Sequence, residues 1–406
     1  MGSVAFANTT PLREEIDRIV PSRPFRLDFW DGSSLPATEN GAGPTFTVRS
    51  PKAVAQALAA PGQLGLGRAY VTGDLDVDDI DAVSDMLRGW SPPPIESADK
   101  LKLMRGAVRA AGLTLPPRPP AAEFKPKGRR HTRTRDQRAV RHHYDVSNDY
   151  FRLFLDESMT YSCAIFSRGA TTLEEAQVAK LDLVCTKLDL KPGMRIVDIG
   201  SGWGAFAIHA ARNYGVHVTG ITVSQNQADG ATRNAERAGV GDKVDFRVQD
   251  YRDLSGETFD AVASIGMVEH VGEERIDGYT RKLASLVGPG GQVLNHGIAR
   301  LRHSDPDAGD FSERYVFPDA DPIHVSRIID SFERAGMPLQ HAEDFRMDYA
   351  ETLRHWAERF DSNLAEAERL GGAERVRVWR LYLRAARTGF ETGFTGLYQV
   401  RVRKPG

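Results

Sequence analysis

Two cysteines, Cys163 and Cys185, are all that the 406 residues hold. That is too few for a disulfide framework and suits a reducing cytoplasm. Long apolar runs are also missing. No stretch approaches the length a bilayer crossing requires, and the N-terminus lacks a signal-peptide core. Any membrane contact is therefore expected to be peripheral, on a cytoplasmic protein. Excess charge is absent too, although the net value of −2 hides local asymmetry. There is no internal repeat. The acidic group Asp74, Asp76, Asp78 and Asp79 lacks the glycine and glutamate of a calcium loop. It reads as a solvated turn, and no metal site is expected.

What is present is an ordinary globular composition, 41% hydrophobic and 27% charged, enough to bury a core in one large or two modest domains. The chain is organised around Lys191 to Gly204, KPGMRIVDIGSGWG. Pro192-Gly193 signals a turn. Ile196, Val197 and Ile199 form the β-branched run of a buried parallel strand. Gly200, Gly202 and Gly204 let the backbone turn sharply into a helix over Ala205 to Asn213, whose first N–H groups face whatever lies above the strand. A glycine loop alone is a weak signal, because nicotinamide-binding folds carry one too. Two details shift the balance. Asp198 sits in the strand end, where it can orient the loop and meet a cationic ligand. A second strand ends in Thr222-Val223-Ser224-Gln225-Asn226-Gln227. The pair reads as a class I S-adenosylmethionine methyltransferase fold, against the plainer reading of a structural glycine turn in some other α/β protein.

Strands over Arg195–Ile199, Val216–Ile221, Val244–Val248, Ala261–Ile265 and Gly291–His296 alternate with helices. This predicts a Rossmann-like, doubly wound and mostly parallel sheet, with ligands at the carboxyl ends of the strands. Leu397–Val402 is expected as a last, antiparallel edge strand. Gly200, Gly202 and Gly204 would line the methionine part of S-adenosylmethionine, and Gln227 would reach the ribose hydroxyls. Asp250 either accepts the adenine amino hydrogens or merely caps a helix. Glu269 and His296, at neighbouring strand ends, point into the same crevice.

Residues 1–113 read as a smaller N-terminal α/β domain, with strands at Phe25–Trp30 and Thr45–Val48, a turn at Asp31-Gly32 and a helix from Pro51 to Ala60. Residues 114–140 form a stiff proline-rich linker followed by a basic run that includes Lys125, Arg129, Arg130, Arg133, Arg135 and Arg138. By composition the run is a solvated linker, a nucleic-acid contact poor in aromatics, or an anionic-lipid contact. Residues 141–406 form the catalytic domain. It has a lid or insertion at Arg300–Asp321 and helices at Ala350–Leu370 and Val376–Phe390, the second carrying several arginines.

Three further motifs are HHYDVSNDYF at His142–Phe151, MTYSCA at Met159–Ala164 and GMVEHVG at Gly266–Gly272. With Gly202-Trp203-Gly204 they resemble the cyclopropane fatty acid synthase family, which includes bacterial phospholipid enzymes and mycolic acid cyclopropane synthases. The likeness runs from about Arg141 to the C-terminus. The N-terminal domain resembles, less sharply, the extension of the phospholipid-modifying members. The resemblance implies that Tyr144, Tyr161 and Ser162 close over S-adenosylmethionine beside Gly200, Gly202, Thr222 and Gln227. It also implies a bicarbonate ion, held by Cys163 and Ile298 largely through backbone N–H groups and by the side chains of Glu269, His296 and Tyr349. The implied partners are an unsaturated phospholipid, an anionic membrane surface, a further copy of the chain, and a separate reductase if the product is a 10-methylene chain; nucleic acid is not among them. Two positions depart from the family: Ser201, often cysteine, and Ala386, where members often carry a cysteine. A covalent cysteine at 386 is excluded here.

The chemistry sets its own demands. An isolated alkene attacks only a strongly activated methyl group, and attack leaves a carbocation. The pocket must exclude water yet offer one base. A small buried anion, held by N–H groups and a protonated histidine, suits that need and stabilises the positive charge. Proton loss from the added methyl closes a cyclopropane or, without ring closure, leaves an exomethylene group; both products remain open. The rival readings are a small-molecule methyltransferase on the same fold and a non-catalytic lipid-binding protein.

Overall fold

The computed structural model describes residues 8–39, 43–94, 96–111, 117–125, 132, 135, 147–303 and 310–406. The chain gathers into two compact units. One comprises Met1–Lys125, Ala308–Val316 and Leu364–Thr388. The other comprises Pro126–Asp307, Phe317–Asn363 and Gly389–Gly406.

In the first unit four short strands, β1 (Arg26–Phe29), β2 (Ser34–Leu35), β3 (Thr45–Val48) and β4 (Leu75–Val77), form a sheet in the order β2-β1-β3-β4. The Asp31-Gly32 turn joins β1 to β2. Gly32 takes a φ of 81°, a conformation that favours glycine, and the Asp31 carboxylate accepts from the Thr9 hydroxyl. Phe29, Leu35 and Val48 pack with Leu12, Ala69 and Ala107 from the helices. The expected solvated acidic turn is more engaged than its sequence suggests. Asp74 accepts from Ser50 Oγ at 2.6 Å, Asp76 pairs with Arg49 and Arg377, and Asp79 caps the helix Ile80–Gly89. Arg384 likewise forks onto Asp81 at 2.9 and 2.8 Å. These C-terminal arginines are thus committed to internal ion pairs.

The second unit holds a seven-stranded sheet. Its members are β5 (Arg195–Ile199), β6 (His217–Thr222), β7 (Val244–Val248), β8 (Phe259–Ile265), β9 (Val287–Arg300), β10 (Leu339–Asp344) and β11 (Thr395–Arg403), in the order β10-β11-β9-β8-β5-β6-β7. β5 pairs in parallel with both β6 and β8, so the strand order reverses there and opens a crevice at its carboxyl end. Apolar clusters cover both faces; Ile221, Val262 and Val293 belong to one, and Ile196, Ala263 and Leu294 to the other. Cys185 lies in the second cluster.

Two expectations need correction. The strand expected at the sheet edge, Leu397–Val402, lies inside it, antiparallel to both β9 and β10. The physical reason is visible in burial: Leu397, Val400 and Val402 are enclosed, whereas β10 exposes Gln340, His341 and Asp344 and suits an edge. In the basic run only Lys125 and Arg135 fall within the described residues. Arg135 is not a surface cation there; it is buried in a two-pronged pair with Asp319, both bonds 2.6 Å. Of the expected lid, residues 304–309 fall outside the described residues and Asp310–Tyr315 is a helix.

Candidate active site

A cavity opens where β5 ends. Gly200, at φ 80°, makes the first turn; a Cβ there would stand 2.7 Å from the Met267 side chain. Gly202 carries the loop on and Gly204 hands it to the helix Ala205–Tyr214. Gly200 and Gly202 line the cavity. A Cβ at Gly204 would instead run into Phe246, so this glycine serves packing.

Six more of the expected ligand-binding residues line the same cavity: Tyr161, Ser162, Asp198, Thr222, Gln227 and Asp250. Tyr144 lies outside the described residues. Thr222 Oγ1 donates to Gln227 Oε1 at 2.7 Å, which leaves the Gln227 amide nitrogen as the group available to a ligand. Asp250 caps the short helical turn Tyr251–Asp253 and pairs with Arg252 at 2.6 Å, so its capping role is real even as it faces the cavity.

Lys180 is a site residue that sequence reading missed. It is buried, it lines the cavity, and its ammonium donates to Ser162 Oγ at 2.8 Å. Burial lowers its pKa to about 8, against the pull of Asp156 and Asp198. Burial raises Asp198 to about 7, partly offset by Lys180. The sequence did hold a signal. On the helix Leu173–Lys187, Gln177 and Lys180 stand three apart among Leu173, Ala176, Leu181 and Val184, polar residues on the face that should be apolar. Gln177 uses that position to bind the Ser162 carbonyl at 2.9 Å.

The other five expected residues gather beside this cavity rather than lining it. His296 on β9 pairs with Ile265 on β8, and Gly266 N–H donates to the His296 carbonyl at 2.8 Å. Glu269 sits on the turn Val268–His270 just beyond, where the Ile298 N–H faces its carboxylate. A Cβ at Gly297 would come within 3.0 Å of Glu269 Oε2. Ile298 pairs with Leu397 on β11, whose carbonyl receives Phe345 N–H at 2.8 Å. Tyr349 follows one helical turn later, its N–H on the Phe345 carbonyl. The Cys163 thiol is 3.9 Å from that carbonyl. Trp356 joins the two groups: its ring lies 5.3 Å from Tyr161 and 6.2 Å from Tyr349.

Electrostatically this second group is unusual. Glu269 Oε2 and His296 Nε2 are both buried without a hydrogen-bond partner among the described residues. Burial raises Glu269 to about 7, although the Ile298 N–H opposes it. Burial, then Lys180 and Lys187, push His296 well below its ordinary value. Burial thus favours the neutral imidazole, whereas the sequence reading expected a protonated histidine holding an anion. Burial also drives the Cys163 thiol upward, which makes it an inert thiol. An acceptor and an azole nitrogen each left unsatisfied in the interior are groups for which a small polar guest gains more than it loses.

Residues 131–400 match the family model for mycolic acid cyclopropane synthetase. A probable fatty acid methyltransferase of Mycobacterium tuberculosis is 37% identical over 96% of this chain and 93% of its own. The cyclopropane-fatty-acyl-phospholipid synthase of Escherichia coli K12 is 33% identical over 89% of this chain and 88% of its own. The solved structure of mycolic acid cyclopropane synthase CmaA1 complexed with SAH and CTAB superposes with a TM-score of 0.63 at 31% identity, covering 66% of this chain and 98% of that one.

Proposed function

The chain belongs to the mycolic acid cyclopropane synthetase family of S-adenosylmethionine-dependent methyltransferases, and from that premise we propose that it methylates the double bond of an unsaturated phospholipid acyl chain. The observation that carries this reading is the pair of unsatisfied atoms, Glu269 Oε2 and His296 Nε2, beside the glycine-loop cavity. Methylation of an alkene leaves a carbocation that must lose a proton, and a base held beside the cavity gives that proton somewhere to go.

S-adenosylmethionine, when bound, supplies an electrophilic methyl. Gly200 and Gly202 would approach its methionine part, Gln227 its ribose, and Asp250 its adenine. Tyr161 and Ser162 would close the other side, with Lys180 behind Ser162. Asp198, whose pKa burial raises while Lys180 holds it down, would face the cationic ligand. The residues beside the cavity fit bicarbonate: Glu269, His296 and Tyr349 by side chain, Cys163 and Ile298 by backbone. That anion, when bound, supplies a base and a negative charge. The aromatic wall of Tyr161, Trp203 and Phe317 excludes water from the cation formed on the acyl chain.

Two products follow from that cation. The alkene π electrons form the new C–C bond to the methyl and leave the positive charge on the neighbouring carbon. Loss of a methyl proton, with its C–H electrons closing onto that carbon, gives a cyclopropane. A 1,2-hydride shift first, then loss of a methyl proton, gives a 10-methylene chain, which a separate reductase would turn into a methyl branch. Gas chromatography and mass spectrometry of lipids from an expressing host tests the reading. A mass gain of one CH2 on unsaturated chains is expected, and unchanged lipids with an intact, ligand-binding protein overturn it.

Docking at an anionic membrane belongs to the same proposal. On the helix Ser97–Ala111, Leu101, Met104 and Val108 are exposed at a spacing of three and four, flanked by exposed Lys102, Arg105 and Arg109. Apolar residues beside basic ones on one helix are the pattern of an interfacial contact.

A further inference from the structure

Directly across the β9–β11 ladder from His296 stands Gln399, its register partner and fully buried. Its side chain has two neighbours. Lys187 Nζ lies 2.7 Å from Gln399 Oε1, and Gln399 Nε2 lies 3.1 Å from His296 Nδ1. Lys187 is also ion-paired with Glu343 at 2.6 Å.

Donor and acceptor chemistry leaves this row one arrangement. An ammonium can only donate, so the amide oxygen must face Lys187. The amide nitrogen therefore faces His296, and it too can only donate. Nδ1 must accept, so it carries no proton. A neutral imidazole has one N–H, which must then sit on Nε2, the atom that has no partner among the described residues. The groups around the ring agree. Lys180 and Lys187 from the helix Leu173–Lys187 disfavour an imidazolium, and Glu343 is spent on Lys187. Glu269, a carboxylate of the same group, comes from the turn after β8, and Asp344 and Asp348 lie near Cys163.

We propose that Lys187 and Gln399 are positioning residues that lock His296 as the neutral Nε2–H tautomer, a hydrogen-bond donor towards the polar nest beside the cavity and not a base. Resting on the functional reading above, this settles a division of labour: His296 donates to the anion, and the proton from the substrate goes elsewhere than to His296. The tautomer itself stands without that reading.

Nitrogen-15 NMR of the full-length protein with labelled histidine tests it, with the His296 signals identified by their loss in His296→Gln. Between pH 6 and 8 the expected spectrum shows Nε2 protonated and Nδ1 bare. A proton on Nδ1, or an imidazolium, overturns the proposal whether or not lipid is methylated. Gln399→Glu supplies the second arm. A carboxylate there accepts from Nδ1, which favours the imidazolium at low pH and the Nδ1–H tautomer at high pH. Nε2 then donates only in the charged form. The activity of Gln399→Glu relative to wild type should fall at least tenfold as pH rises from 6 to 9. Gln399→Met, which holds neither nitrogen, should give mixed tautomers and a ratio independent of pH. A flat ratio for Gln399→Glu overturns the proposal. Absent lipid methylation in the wild type counts against the functional reading alone and leaves the NMR result to decide the tautomer.

Discussion

Lys180 Nζ donates to Ser162 Oγ at 2.8 Å, both groups buried in the wall of the glycine-loop cavity. The ammonium lines the cavity, so its charge is felt by whatever occupies it. Lys180→Met should weaken S-adenosylmethionine binding by about 1.5–3 kcal/mol, roughly ten- to a hundredfold, as expected for losing a charged hydrogen-bond partner. Ser162→Ala should cost about 1 kcal/mol. Isothermal titration calorimetry measures both, and an unchanged affinity in Lys180→Met would remove the lysine from the site.

Glu269 makes the ligand-free protein sensitive to alkali. Its folded pKa is raised from 4.5 to about 7 by burial. The folded state therefore holds a proton that the unfolded chain has released, so stability falls as pH rises from about 4 through about 7. Glu269→Gln removes that slope. At pH 8 the variant should be more stable than wild type by up to about 3 kcal/mol, and below pH 4 the two should match. Urea unfolding at several pH values reads the difference, and parallel curves for the two proteins would refute the assignment. Lipid methylation by the same variant should drop by about a hundredfold or more.

Thr222 acts through Gln227. Losing the Thr222 hydroxyl bond lets the Gln227 amide turn, so Thr222→Val should raise KM for S-adenosylmethionine by about fivefold, near 1 kcal/mol, with kcat little changed. Gln227→Leu should do more to KM than Thr222→Val. An equal fall in kcat for both would place them at the transition state instead.

The exposed face of the helix Ser97–Ala111 gives a test of docking. Paired substitution of Leu101→Asp and Met104→Asp should reduce co-sedimentation with vesicles of anionic phospholipid about tenfold or more, since each buried side chain contributes about 1.5–3 kcal/mol. Wild-type binding should weaken with salt. Binding unaffected by the substitutions would move the contact elsewhere.

Much of this was legible in the residue order. The run from Ile196 to Gly204 could be read as strand, turn and helix because β-branched residues and glycines have strong local preferences. The motifs at Met159–Ala164 and Gly266–Gly272 marked two more pieces of the site by their residues alone. The sequence misled where pairing partners were needed. Leu397–Val402 reads as a strand from any direction, but only the exposed polar residues of β10 show that β11 is interior. Arg135 reads as one charge in a basic run until Asp319, far along the chain, is found against it.

Alternation, glycine spacing and short motifs therefore determined the fold class, the cofactor loop and the family, because each rests on interactions within a few residues. Tertiary structure decided the state of the chemistry. Lys180 became a cavity residue, burial biased His296 towards its neutral form, and Gln399 came to stand between Lys187 and His296 because three strands and a helix distant in sequence close around them. Protonation is set by what surrounds a group once water is gone, and only the folded chain supplies that surrounding.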